Sequence, residues 1–207
     1  FPQLPNVDEK INFTVKEETL KSMIDQTIFA VAVNDFKPVH TGSKFIIKDH
    51  VLSVVSVGGF RLAIRQEQVA YGDELDFIVP GKTLSEVAKL LDGDEEVLIA
   101  LSQKHIIFRI GRYDVVSRLL EGDFPDYTKY VPQPDSTAVV DKVSLIASLE
   151  RVALINDKLK SSARLQFAND QLKISCETDK GKINDLLPVY MEGDPIEVNF
   201  NQNYLID

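Results

Sequence analysis

Apolar and polar residues alternate along much of the chain, in short runs bounded by Gly, Asn, Asp or Pro. Such alternation is typical of strands that bury one face, and the bounding residues favour turns. The runs predict strands at residues 42–47, 51–57, 60–66, 76–79, 97–101, 104–110 and 113–120.

Helical spacing interrupts the strands at residues 14–31 and 84–91, where apolar residues recur every three or four positions. Each stretch opens with a Thr-x-x-Glu phrase, beginning at Thr14 and at Thr83, which predicts a capping box at the start of the helix. Helices followed by several strands predict the α+β class, with the helices packed on one face of antiparallel sheets.

The second half of the chain repeats the first. Leu145 begins an apolar stripe like that of Leu20, and Asp141 can cap the helix that carries it. FANDQL at residues 167–172 has the same strand, turn and strand pattern as FIIKDHVL at residues 45–52. This similarity predicts two copies of one structural unit.

The repeat also predicts where domains begin and end. Asn201 can cap a further helix, and the sequence stops in the first turn of that helix. Because so short a helix is not stable alone, we expect about 35–45 further residues, on the usual lengths of helices and strands, to complete the repeat. We therefore expect residues 1–10 to be the tail of a preceding domain, residues 11–128 a complete middle domain and residues 129–207 an incomplete C-terminal domain.

The segment LLEGDFPDYTKYVP, residues 119–132, is predicted to connect the two repeats. Gly122 and Pro125 stop the preceding strand, because Gly tolerates positive φ and Pro cannot donate a ladder hydrogen bond. The segment holds one Phe and two Tyr residues, more aromatic surface than a solvated connection needs. We expect apolar groups to cover these rings or to bind there.

Composition predicts a globular protein of the cytoplasm. Hydrophobic residues make up 44% and charged residues 27% of the chain, which is ordinary for folded domains. Apolar runs stay short of membrane-spanning length and the first residues lack a signal-peptide pattern, so a cytoplasmic location is expected. The net charge of −9 argues against a general affinity for phosphates, although basic residues gathered on one surface can still meet nucleic acid.

The sequence offers little support for catalysis, a metal site or a cofactor. The histidines are far apart and lack the spacing of zinc ligands, and the Gly-Gly pair at residues 58–59 lacks that of a phosphate loop. The acidic run at residues 92–96 lies between a helix and a strand and is interpreted as a solvated turn. Cys176 lies in an alternating run, which indicates a small core residue.

The run VGGFRLA at residues 57–63 has two interpretations. In the first, it forms a tight hairpin whose Phe60, Leu62 and Ile64 alternate into a core. In the second, it forms the wall of a pocket, with exposed glycine backbone and the stem of Arg61 beside aromatic rings. The segment by itself leaves both interpretations open.

Three phrases together carry a family resemblance: FTVKEETLKSMI from residue 13, GGFRLA from residue 58 and LLEGDFPDYTKYVP from residue 119. In this order and spacing, they make essentially the whole chain resemble the bacterial DNA polymerase III beta subunit, the replicative sliding clamp. The resemblance implies a DNA-clamp fold of repeated domains, joined head to tail in a homodimeric ring around duplex DNA. It also implies a non-catalytic processivity subunit within a DNA polymerase holoenzyme, a nucleotidyltransferase.

By the same resemblance, the ring receives short linear peptides from the polymerase III catalytic subunit, the clamp loader and repair polymerases. The pocket implied for them, where the second and third domains meet, has its matching positions at Lys37, His40, Val57, Gly59, Phe60, Arg61, Leu62, Pro125, Lys129 and Tyr130. The family usually has Thr-Asp-Gly at residues 57–59, an apolar residue at position 40 and often Arg at positions 37 and 129. The first of these differences removes polar side chains that could anchor a peptide.

The resemblance also implies roles for residues on the helices. Lys82, Lys89 and Lys21 are the expected DNA-facing residues, and acidic neighbours on the same helices offset them, as a ring that slides requires. Leu154 and Ile155 match the apolar pair with which the family's third domain meets the first domain of the partner. Helical periodicity alone supports a second interpretation equally well, in which both are ordinary core residues.

Two classes of function remain open at this point. One is a clamp that encloses DNA, and the other is a monomeric β-rich adaptor that binds proteins without enclosing anything. The oligomeric state separates them, because a ring closed head to tail must be a dimer. A metal-dependent nuclease or polymerase is disfavoured by the missing carboxylate motifs.

Overall fold

Strands outnumber helices in the described part of the first half of the chain. The computed structural model describes residues 10–34, 36–155 and 162–207, and the chain divides into two units, Phe1–Val131 and Pro132–Asp207. The expected tail of a preceding domain, residues 1–10, therefore lies almost wholly outside the described residues.

The first unit contains eight strands and two α-helices among its described residues. The strands are β1 (Ile11–Lys16), β2 (Gly42–Lys48), β3 (Val51–Gly58), β4 (Arg61–Gln68), β5 (Leu75–Pro80), β6 (Glu96–Leu101), β7 (His105–Ile110) and β8 (Tyr113–Arg118). The helices are α1 (Glu17–Asp25) and α2 (Gly81–Leu90), and short 3-10 turns occur at Ile28–Ala30, Pro38–Thr41 and Tyr127–Tyr130.

The strands of this unit form two antiparallel sheets, in the orders β1-β6-β7-β8 and β4-β3-β2-β5. Both sheets and both helices contribute to one core, in which Phe45 of β2, Phe108 of β7 and Leu20 of α1 are fully buried. Phe45 stacks on Phe77 with the ring centroids 5.3 Å apart. The prediction of an α+β fold, with helices packed on antiparallel sheets, is confirmed.

The predicted strands agree with the observed ones to within two residues at each end. The predicted polar turn between β2 and β3 is also present, since Asp49 and His50 both have positive φ. Asn169 and Asp170 adopt the same conformation in the second unit. Two successive residues of this kind suit the twist of a tight hairpin, which explains why short polar residues occupy these positions.

Both predicted capping boxes are wrong. Thr14 lies within β1, opposite Leu98, and α1 begins three residues later. The alternate residues Phe13 and Val15 are buried, so strand periodicity decides this segment and Thr14 faces outward. Thr83 lies inside α2, and its hydroxyl is hydrogen bonded to that of Ser117 at 2.7 Å.

The first helix is also shorter than predicted. It ends at Asp25 instead of continuing to residue 31, and Ile28–Ala30 form a 3-10 turn. Thr27, which lies just beyond the last residue of α1, donates a hydrogen bond from Oγ1 to the carbonyl of Met23 at 2.7 Å. A buried hydroxyl that binds a backbone carbonyl in this way competes with the helical hydrogen bonds, consistent with the helix ending here.

The second unit contains one five-stranded antiparallel sheet in the order β13-β10-β11-β12-β9. Its elements are β9 (Thr137–Val140), α3 (Lys142–Ile155), β10 (Ala163–Ala168), β11 (Gln171–Thr178), β12 (Gly181–Glu192), β13 (Ile196–Phe200) and α4 (Gln202–Ile206). Leu149 and Val152 of α3 are fully buried against the sheet. Cys176 belongs to this core, as predicted, and burial raises the pKa of its thiol.

The caps predicted in the second unit are confirmed. Asp141 accepts a hydrogen bond from the backbone N–H of Ser144 at 2.8 Å, and Asn201 accepts one from that of Asn203 at 3.1 Å. Each side chain therefore satisfies a backbone donor that the first turn of the helix leaves unpaired. None of the described helices combines the length and apolar character needed to cross a membrane.

The position of Thr14 in a strand generates a stability prediction. Replacing Thr14 with Val should change the free energy of unfolding by less than about 0.5 kcal/mol, because the residue is exposed and Val suits a strand. Loss of a true N-cap would cost about 1 kcal/mol. Denaturant unfolding measures the difference, with Asp141→Ala as the control that removes an observed cap. A clear loss for the Thr14 variant would restore the capping-box interpretation.

Candidate functional site

A cavity of about 470 Å³ lies at the end of the hairpin formed by β3 and β4. It is lined by His40, Val57, Gly58, Gly59, Phe60, Arg61, Leu62, Pro125 and Tyr130, all within the first unit. Its size falls in the range of pockets that bind small ligands and peptide side chains.

The hairpin forms one wall of the cavity. Gly58 pairs with Arg61, which leaves Gly59 and Phe60 as a two-residue turn. Gly59 has a φ of +61°, a conformation that side chains disfavour, and a Cβ built there would meet no atom within 4 Å. The backbone at Gly59 is therefore open to a ligand.

Gly58 has a different role, because backbone from another segment lies directly against it. A Cβ built at Gly58 would lie 2.4 Å from the backbone nitrogen of Ala32 and 2.6 Å from the carbonyl oxygen of Ala30. Only glycine allows the end of β3 to approach this segment so closely. Gly58 lines the cavity but is not among the predicted pocket residues, although the Gly-Gly pair is the signal that could have identified it.

The interpretation of this hairpin as a purely core element is wrong. Phe60 is 92% exposed and Ile64 is also exposed, whereas Ala63 between Leu62 and Ile64 is buried. The register places Ala63 opposite Ser56, whose side chain is fully buried, so the inward face of β4 is set one residue away from the predicted face. Leu62 is half-buried and lines the cavity.

Arg61 supplies a positive charge to this wall. Its guanidinium carbon lies 5.3 Å from the ring centroid of Phe29, within the range of a cation–π interaction. No acidic side chain occurs among the described residues that line the cavity, although the chain as a whole carries a net charge of −9. The site therefore suits an apolar ligand that is neutral or acidic.

The opposite wall comes from the segment that follows β8. Pro125 and Tyr130 line the cavity, and Tyr130 is largely exposed at the end of a 3-10 turn. Within this turn Thr128 donates a hydrogen bond to Asp126 at 2.6 Å, and Lys129 forms an ion pair with the same carboxylate at 3.1 Å. The hydrogen bond from Thr128, followed by that from Lys129, lowers the pKa of Asp126.

The cavity includes every residue assigned to the pocket from the sequence except Lys37 and Lys129. Lys37 precedes the 3-10 turn Pro38–Thr41, and its carbonyl accepts a hydrogen bond from the backbone N–H of His40 at 3.1 Å. Lys129 is directed to Asp126.

The lysines expected to face DNA differ in their surroundings. Lys82 is exposed on α2, and Lys89 is exposed but forms an ion pair with Glu86 at 2.8 Å. The hydrogen bond from Lys89 lowers the pKa of Glu86. Lys21 instead donates to the carbonyl oxygen of Leu91 at 2.8 Å, which connects α1 to the C-terminal end of α2. Lys21 thus contributes to the packing of α1 against α2. The α-helical periodicity of the sequence does not predict this contact.

The pair expected at a dimer interface is divided by the structure. Leu154 is 81% exposed at the end of α3, whereas Ile155 is half-buried and packs against the second core. The core interpretation therefore fails for Leu154 and holds for Ile155.

One edge of β12 is available for pairing. β11 pairs with β12 from residue 171 to residue 178, but β9 pairs only with its last residues, from Val189 to Glu192. Among the described strands, none pairs with the outer edge of residues 181–188.

A polar network connects α3 to β12. Ser148, which is fully buried, donates to Asp185 Oδ2 at 2.6 Å, and Arg151 Nε donates to the same oxygen at 3.0 Å. The hydrogen bond from Ser148, and then the hydrogen bond and charge of Arg151, lower the pKa of Asp185. This network fixes the helix that carries Leu154 beside the strand with the unpaired edge.

The lowered pKa of Asp185 generates a pH prediction. A depressed carboxyl pKa stabilises the fold at pH values above the unfolded pKa of about 3.9, and the contribution is lost as the pH falls through the folded pKa. Asp185→Asn should therefore lower the thermal midpoint at pH 7, by an amount corresponding to roughly 1 kcal/mol, and the difference should shrink below about pH 4.

Thermal scans of both proteins between pH 3 and pH 7 measure this difference. Asp114→Asn is the matched control, because Asp114 is exposed and its oxygen lies 3.8 Å from Arg109. A difference for Asp185→Asn that stays constant over this range would contradict the proposed origin.

Known proteins resemble the chain in both sequence and fold. The family model of the DNA polymerase III beta subunit, central domain, matches residues 14–126, and that of the C-terminal domain matches residues 130–207. The beta sliding clamp of Halalkalibacterium halodurans is 32% identical over the whole chain, and that of Bacillus subtilis is 27% identical. This chain covers 57% of each of those proteins, so it spans little more than half of their length.

Solved structures agree with these sequence comparisons. The DNA polymerase III subunit beta of Pseudomonas aeruginosa superposes with a TM-score of 0.92 at 31% identity, over all of this chain and 58% of that one. A sliding clamp from the same organism, bound to griselimycin, gives 0.93 at 31% identity, over all of this chain and 57% of that one. The predicted resemblance and the DNA-clamp fold are confirmed, and the chain belongs to the DNA polymerase III beta subunit family.

Proposed function

We propose that this chain acts as part of a DNA sliding clamp, a homodimeric ring that encircles duplex DNA in the cytoplasm. The ring tethers the polymerase III catalytic subunit, the clamp loader and repair polymerases through short peptides, and so confers processivity. It contributes no catalytic group to the nucleotidyltransferase reaction of the holoenzyme. The observation that carries this proposal is the cavity at the β3–β4 hairpin, in a chain that belongs to the beta subunit family.

Peptide binding follows from the two walls of the cavity. The half-buried Leu62, Val57 and Pro125 offer apolar surface to two or three side chains of an extended peptide. The open backbone at Gly59 offers hydrogen-bonding groups to the peptide main chain. Arg61, positioned over Phe29, favours a carboxylate or amide oxygen of the ligand. Buried anchors of this kind typically dominate peptide affinity.

Encirclement explains how an acidic chain can work on DNA. Tight phosphate contacts would slow a sliding ring and would make its binding strongly dependent on salt. On the helices of the first unit Lys89 is paired with Glu86 and Lys21 binds the carbonyl of Leu91. Lys82 remains as the proposed principal contact with the DNA backbone. Retention then depends on the closed ring and not on the number of ionic contacts.

We propose that the second unit provides the surface that closes the ring against the partner protomer. The exposed Leu154 and the edge of residues 181–188 together provide an apolar contact and main-chain hydrogen-bonding groups. A strand edge with unpaired main-chain groups suits addition of a strand from the partner protomer. In a head-to-tail dimer, this surface of each protomer would meet a different surface of its partner.

The peptide pocket is tested in the complete protein with a labelled Gln-Leu-x-Leu-Phe peptide. Arg61→Ala and Tyr130→Ala should each weaken binding at least about tenfold, because pocket-lining anchors carry most of such affinity. The thermal midpoint should stay within about 2 °C, since both side chains are at least partly exposed. Arg112→Ala, at the exposed turn before β8, is the control with unchanged binding. Lost stability with unchanged binding would leave these residues a structural role only.

Encirclement is tested by loading the complete protein onto circular duplex DNA with a clamp loader. The loaded protein should stay on the circle in moderate salt and leave after the DNA is cut, because a ring slides off a free end. Leu154→Glu should shift the protein from dimer to monomer in sedimentation and abolish this retention. Equal loss from circular and linear DNA would contradict encirclement and favour a monomeric adaptor.

A further inference from the structure

Phe60 combines two properties that folding alone does not explain. It lines the cavity, and it is 92% exposed at the tip of the β3–β4 hairpin. A large aromatic side chain gains little stability from such a position, because most of its apolar surface stays in water. Exposed aromatic surface next to a pocket instead marks a place where a ligand can bury it.

Further apolar surface follows in an adjacent segment. The backbone of Ala32 lies directly against Gly58 and donates a hydrogen bond to the carbonyl of His40 at 2.9 Å. Val33 and Phe36, which follow Ala32 in the chain, are both more than 90% exposed. Exposed apolar side chains therefore also follow, in the chain, the segment whose backbone packs against Gly58.

The chemistry of the occupant follows from size and charge. A cavity of about 470 Å³ admits a few side chains and is too small for a folded domain. Its described lining contains Arg61 and no acidic side chain, so a basic ligand is disfavoured. An extended peptide with apolar anchors and a neutral or acidic character meets both conditions, and its residues next to the anchors would pass over Phe60.

We infer that Phe60 is a specificity-determining residue, which selects partner peptides carrying an aromatic side chain next to their buried anchors. This inference rests on the proposed function, because it concerns peptides that bind in the same cavity. The exposed ring of Phe60 offers a face and an edge to a second ring, and such pairs are favourable beyond the area that they bury. The preference for an aromatic flanking residue should amount to about three- to tenfold in affinity.

The test uses the complete protein and pairs of peptides. Each peptide contains Gln-Leu-x-Leu-Phe and has either Phe or Ala as the residue immediately before or immediately after this motif. Wild-type protein should bind one Phe-flanked peptide about three- to tenfold more tightly than its Ala counterpart. Phe60→Ala should remove this preference, so that the affinity for the Phe-flanked peptide falls about three- to tenfold more than the affinity for the Ala-flanked peptide. Phe60→Leu, which keeps apolar area without a ring, should retain only part of the preference.

The matched control is Tyr113→Ala, which removes another exposed aromatic side chain that does not line the cavity. This variant should keep the full preference. A preference that persists in Phe60→Ala, or an equal loss of affinity for all peptides, would overturn the inference. A fall in the thermal midpoint of Phe60→Ala with unchanged binding would also overturn it, in favour of a structural role.

The two proposals fail in different ways. If wild-type protein binds the Ala-flanked peptides but shows no preference for Phe, only the role of Phe60 is wrong. If it binds none of the peptides, the proposed function of the cavity is wrong, and the role of Phe60 falls with it.

Discussion

The first unit depends on the burial of two sheets and two helices in one core. Phe45, Phe108 and Leu20 come from three different layers and are fully buried together. Interiors of this kind are close-packed, so the ends of the strands are held in fixed positions relative to the helices. The β3–β4 hairpin extends from this rigid base, which means that this wall of the pocket is built on a sheet and not on a free loop.

Glycine at position 58 carries that rigidity to the site. The end of β3 lies against the backbone of residues 30–32, and a side chain of any size would push the two apart. The contact brings the wall that carries Arg61 next to Phe29, whose ring faces the guanidinium.

Periodicity predicted most strands and the α+β class, because a half-buried strand needs alternating side chains. The capping-box prediction failed at Thr14, where the capping phrase coincided with the strand alternation of Phe13 and Val15. Local hydrogen-bonding potential was outweighed there by pairing with β6, a partner far along the chain. At Asp141 no such partner competed, and the cap formed.

The local segments of the candidate site could be predicted from the sequence. The buried face of a strand and the contacts between residues far apart in the chain could not. The hairpin and the segment after β8 were both identified, since glycines and aromatics mark them in the sequence. The inward face of β4 was not, because a shift of one residue reverses which side chains are buried. The contacts of Lys21 with Leu91 and of Ser148 with Asp185 join residues that are far apart in the chain, and no local sequence pattern predicts them.

The edge of β12 at residues 181–188, which pairs with none of the described strands, has a further consequence for the isolated chain. A strand edge with unpaired N–H and C=O groups can add strands from other molecules without limit, which is the first step of aggregation. Natural edges are commonly protected by charge, and the exposed Lys182 lies within this one. Its charge opposes uncontrolled addition of strands along residues 181–188.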